Sequence, residues 1–139
     1  MKWAVSVNAR RLIPLLLAAA LLLGGCNGGT VDRHALTKDS GTLDSIACEG
    51  ALLADDAARG RTTSVFAREQ AEALQVQAEG FSDALAKRKT LPSIERKVRA
   101  AARRAAVIAA VLERLHDHAS DQAVAAESAR RLHAIGRCP

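Results

Sequence analysis

Apolar residues recur along this chain at helical spacing. From Leu91 to Ala119, Leu91, Ile94, Val98, Ala101, Ala105, Ile108, Leu112, Leu115 and Ala119 alternate steps of three and four, a heptad seam. The segment before it keeps the same rhythm with Phe66, Gln70, Leu74, Gln77, Phe81 and Leu85. Leu43, Ile46, Gly50, Leu53 and Ala57 repeat it upstream; Val124, Ser128, Leu132 and Ile135 repeat it downstream. No stretch alternates convincingly at period two, so helices are predicted and strands are not.

Local punctuation bounds these helices. The first is predicted over Leu43–Arg59, capped by Thr42 or Asp44 and stopped by Gly60. The second runs over Thr62–Lys89, with Gly80 inside it as a candidate kink. Thr90-Leu91-Pro92-Ser93 breaks the chain, and the third helix follows over Pro92–His118. Ser120-Asp121 restarts a fourth, which ends at Ile135 before Gly136. Short connections make successive helices antiparallel. The fold class read from this pattern is all-α, a small up-down four-helix bundle with a long central antiparallel hairpin. The outer helices come to only about 24–25 Å and the second to about 42 Å, which leaves part of the hairpin less covered. The rival arrangement joins helices three and four into one rod, in a three-helix fold or a coiled-coil dimer. The same seam could serve a homo-oligomer.

The N-terminal residues follow a different pattern. Lys2, Arg10 and Arg11 precede an apolar run, Leu12–Leu23, interrupted by Pro14. A spanning helix needs about 20 apolar residues, so the run is short for one and fits an export signal. It ends in Leu23-Gly24-Gly25-Cys26, which resembles the lipobox of bacterial lipoproteins. Gly25 suits that motif, and Gly24 is a less usual occupant of its position. The resemblance covers residues 1–26. It implies that residues 1–25 are removed, that a diacylglyceryl group is attached to the Cys26 sulfur, and that the exported protein stays anchored to a bacterial membrane. The other reading is a plain secreted protein or an uncleaved anchor. Arg10-Arg11 lacks the Phe usual in twin-arginine signals, which favours general secretion. Residues 26–41 read as a flexible tether reaching some tens of Å from the bilayer, and residues 42–139 as the helical bundle.

Processing alters the charge. The 139-residue precursor carries 20 basic and 15 acidic residues; without Lys2, Arg10 and Arg11, 17 basic residues remain and the net charge falls to +2. That balance is no footprint of nucleic-acid binding. Among aromatic residues only Phe66 and Phe81 follow Trp3, which also excludes a stacking platform for bases. The charges are uneven along the chain. Residues 87–104 gather Lys87, Arg88, Lys89, Arg96, Lys97, Arg99, Arg103 and Arg104 against Glu95 alone, whereas residues 39–83 hold nine acids and three bases. The basic cluster is expected either to meet anionic lipid or an acidic envelope protein, or to be a solvated face.

Three cysteines are an odd number for an exported protein. Lipidation of Cys26 leaves Cys48 and Cys138 to pair, against the alternative of two buried free thiols. Gln70 and Gln77 on the second seam would fix register, line a small-ligand pocket, or reach water. Glu113 and His116 form a single Glu-x-x-His pair, but di-iron bundles need two such pairs and further glutamates, so no metal is assigned. No catalytic motif occurs and no cofactor is implied. The expected function is a membrane-anchored envelope lipoprotein with a non-catalytic interaction or structural domain. The alternative is a ligand-binding lipoprotein with a pocket between helices. An apolar stripe exposed on the uncovered hairpin would favour the first, an enclosed polar-lined cavity the second, and neither would leave a tethered spacer.

Overall fold

The computed structural model describes residues 30–138. The signal segment, Cys26 and Asn27–Gly29 lie outside the described residues. Four helices follow in order: α1 Arg33–Ala58, α2 Ser64–Lys87, α3 Glu95–Asp117 and α4 Gln122–Ile135. They pack as an up-down four-helix bundle. The α2–α3 hairpin and the α1–α4 pair make the broadest contacts, α1 also reaches α3 across the bundle, and α2 and α4 do not meet. Helices three and four are therefore separate. His118–Asp121 forms the turn between them, and the Asp121 carboxylate accepts the amides of Ala123 and Val124 to start α4.

The largest departure from the sequence reading is α1. It begins at Arg33, not Leu43, so most of the stretch read as tether is helix. The Asp32 side chain accepts the Ala35 amide at 2.8 Å and caps it. Thr37, Thr42 and Ser45 return their hydroxyls to carbonyls four residues back, so these polar residues are accommodated within the helix. Tertiary contact supplies the rest. Val31 is buried with Leu85, Ile94 and Val98, and Ala35 and Leu36 pack on this small second core. The Val31 amide donates to the Lys89 carbonyl at 3.1 Å, and Val31 bridges Thr90 in parallel. At 26 residues α1 is about 39 Å long and runs alongside the hairpin. Only α4, with 14 residues, is short.

The two cores together confirm the third seam closely. Ile94, Val98, Ala105, Ile108, Leu112, Leu115 and Ala119 are buried and Ala101 is half-buried; Leu91, in the turn, is exposed. The second seam is corrected. Ala67, Ala71, Leu74, Ala78 and Leu85 face inward, Phe66 is 50% exposed and Gln77 is exposed. Helix α2 is turned so that Ala67, Ala71 and Ala78 lie in the main core, where small side chains let helices approach closely. Helix α2 continues unbroken through Gly80, around which a Cβ would find open space. Gly50 is a true close approach: a Cβ there would lie 2.8 Å from Leu112 Cδ2 and 3.1 Å from Leu132 Cδ1. Gly60 supplies the left-handed turn after α1, at φ 66°.

Among the described residues one buried side-chain polar atom lacks a partner. Ser128 is 1% exposed, and its hydroxyl makes no hydrogen bond. Burying an unpaired hydroxyl is unfavourable, and alanine is the better helix former. Ser128→Ala is expected to raise stability by about 1 kcal/mol, seen as a higher urea midpoint with an unchanged slope.

Candidate functional site

The bundle has two chemically different ends. Antiparallel packing puts the start of α1, the α2–α3 turn and the flanking turns of both hairpin helices at one end. The segments that build this end, residues 31–44 and 83–104, hold ten basic and five acidic residues. The remaining described segments hold seven basic and ten acidic residues. The fold thus adds Arg33 and Lys38 to the cluster read from the sequence. It also brings in Asp32, Asp39 and Asp44.

These charges divide by role. Arg88 reaches Asp39 on α1 at 3.2 Å, Lys87 pairs with Asp83 at 3.4 Å, and Arg99 pairs with Glu95 at 3.1 Å. Lys89, Arg96, Lys97 and Arg103 are exposed and make no ion pair with any described residue. Arg96, Arg99 and Arg103 follow an i, i+3, i+7 spacing and share one face of α3. An open cleft of about 410 Å³ lies between α2 and α3, lined by Arg88, Thr90, Arg99 and Arg103 over an apolar floor of Leu85 and Val98.

Arg104 does not belong with this surface group. It is half-buried, its guanidinium pairs with Asp44 on α1, and it donates to the Ile135 carbonyl at 2.7 Å. That carbonyl is at the C-terminus of α4, where helix carbonyls lack intrahelical donors and favour a cation. Arg104 therefore ties three helices together. Arg104→Met is expected to lower stability by about 2 kcal/mol, between the values for exposed and buried pairs, because Asp44 and the α4 terminus lose their partner. Lys97→Met should stay within about 0.5 kcal/mol. Urea unfolding of the two variants side by side checks the contrast.

Compared with protein-family models, curated proteins and solved structures, the chain finds no match. Function therefore rests on the residues themselves.

Cys48 and Cys138 come together across the fold, with Cα atoms 5.4 Å apart, a separation that suits a disulfide. Gly136 makes room for them: a Cβ there would lie 2.9 Å from the Cys138 sulfur and 3.1 Å from that of Cys48. The glutamines do not form a polar cavity. Gln77 is exposed on an open groove of about 300 Å³ with Val76, Phe81 and Leu85, and Gln70 lines a separate shallow groove of about 190 Å³ with Leu52, Phe66, Leu74 and the acids Glu49 and Asp56. Glu113 is exposed, and the His116 ring stands 3.1 Å from Asp117. His133, remote in sequence, meets Asp55 of α1 at 3.1 Å. Among the described residues no three His, Cys, Asp or Glu side chains are grouped to hold a metal ion, and no helix is long and apolar enough to cross a membrane.

Large apolar side chains are exposed on the outer faces of α1 and α2. Leu52 is 64% exposed, Val65 63% and Val76 60%. Leu52 and Phe66 share the groove near the α1–α2 turn, at the end opposite the basic cluster. The sequence reading missed this, because it placed Phe66 in the seam.

Proposed function

We propose that this chain is an exported bacterial lipoprotein, held to a cell-envelope membrane by lipid on Cys26, whose helical bundle serves as a non-catalytic interaction or structural module. The observation that carries the reading is the meeting of Cys48 and Cys138. Bonded to each other, they leave Cys26 as the one cysteine without a mate. That is the residue at which the lipobox-like motif calls for lipid. A bonded pair also fits an oxidising compartment outside the cytoplasm. The exposed apolar side chains on α1 and α2 support an interaction role over an enclosed ligand site.

The test is the intact mass of native protein extracted from membranes in mild detergent. The expected species begins at Cys26, carries diacylglyceryl mass and lacks two hydrogens. Two or more acyl chains hold a protein stably, so the lipidated chain is expected in the membrane fraction, and a chain begun at residue 27 behind a signal without the lipobox-like motif in the soluble fraction. An unlipidated native chain would overturn the anchor.

A further inference from the structure

The fold shortens the link between the anchor and the basic end. Val31 is 1% exposed and tied to Lys89 by a backbone hydrogen bond. Only five residue steps separate Cys26 from Val31. Fully extended, they span at most about 18 Å. A tether through residue 41 would have let the bundle drift; α1 starting at Arg33 removes that freedom. Whatever surface holds Cys26, the α2–α3 turn is held beside it.

We infer that the basic end of the bundle docks on the anionic lipid leaflet that carries the anchor, through Lys89, Arg96, Lys97 and Arg103, with the α1–α2 and α3–α4 turns held away from the bilayer. The inference rests on the lipoprotein reading above. Three observations choose lipid as the occupant. The N-terminal segment that carries Cys26 joins the described residues at this face. The charge runs from ten basic and five acidic residues at this end to seven and ten in the rest. The four named bases are exposed and without ion-pair partners among the described residues, so they are available to phosphate groups. Anchoring also makes the second contact intramolecular, which raises the effective concentration of the basic face at the surface. The distal groove of Leu52 and Phe66 is then presented away from the membrane.

Arginines lie at both ends of the bundle, so one reagent reports on both. The lipidated full chain is reconstituted into vesicles of phosphatidylcholine alone or with about one third phosphatidylglycerol, then treated with phenylglyoxal and mapped by mass spectrometry. On anionic vesicles Arg96 and Arg103 are expected to react at least about fivefold more slowly than on neutral ones. Arg68 and Arg114, from the other part of the bundle, should not change. About 0.5 M salt should abolish the difference, since it shortens the Debye length to a few Å. The variant with Lys89, Arg96, Lys97 and Arg103 all changed to Gln should remain lipidated and lose the protection that anionic vesicles give its proximal Arg99.

Equal reactivity of Arg96 and Arg103 on the two vesicle types overturns the docking. So does equal protection of both ends. Protection found only in whole envelopes and not on anionic vesicles also overturns it, and points to an acidic protein as the occupant. A lipidated chain that shows no protection removes this inference and leaves the anchor intact. An unlipidated native chain removes both.

Discussion

Replacing both Cys48 and Cys138 with alanine is expected to lower the free energy of unfolding by about 4–5 kcal/mol. The two residues are 90 apart in sequence, and their Cα atoms are 5.4 Å apart in the fold. A bond between them closes nearly the whole helical domain into one loop. In the chain-entropy model the gain comes from the unfolded state, which loses conformations when its ends are joined, and it grows with the logarithm of loop length. The folded state changes little, because each residue is only half-buried and alanine keeps the Cβ. For a domain whose total stability is of order 5–15 kcal/mol, such a loss is a large share. Urea unfolding of the two proteins is the measurement. The unbonded variant should also show a steeper slope, because its unfolded chain exposes more surface. A difference below about 1 kcal/mol would mean that the pair is not bonded in the native protein.

The second large effect is centred on Leu112. Its side chain is fully buried, and α1 approaches it at Gly50, where a Cβ would come within 2.8 Å of Leu112 Cδ2. Leu112→Ala should cost about 3 kcal/mol, from lost burial and the cavity left behind. The informative comparison adds Gly50→Ala. In the parent protein that substitution gains about 1 kcal/mol of helix propensity and loses it again to crowding against Leu112 and Leu132. In the Leu112→Ala background the nearest obstacle is gone and the new methyl group enters the cavity. Gly50→Ala is therefore expected to be close to neutral alone and to recover about 1–2 kcal/mol in the double variant. Such non-additivity is the signature of direct contact. Strict additivity of the two changes would show that Leu112 and Gly50 do not meet.

Much of the fold is legible in residues close together in sequence. The heptad run from Ile94 to Ala119, the stop at Gly60 and the cap at Asp121 locate α3, the end of α1 and the start of α4 without reference to partners. The errors share a cause. Thr37 to Gly41 looks like linker because its residues favour turns in isolation, but Val31, Ala35 and Leu36 find Leu85, Ile94 and Val98, which lie 49 to 67 residues away. Phe66 looks like core because it is large and in phase, but the alanines beside it permit the closer helix contact. The candidate site divides in the same way. The eight bases of residues 87–104 are plain in the sequence, and so is Cys26 in its motif. The removal of Arg104 to an interhelical tie with Asp44 and Ile135 is not.

The sequence by itself determined the all-helical class, the approximate place of the helices and the chemical identity of the charges, because caps, breakers and apolar periodicity act within a few residues along the chain; that helices three and four are separate came from the fold. Only the tertiary structure decided which face of α2 is buried, how far α1 extends and which arginine is structural. It also decided how short the link is between Cys26 and the basic end. Those outcomes depend on contacts between residues far apart in sequence, where burial and close approach outweigh the local preference of any one segment.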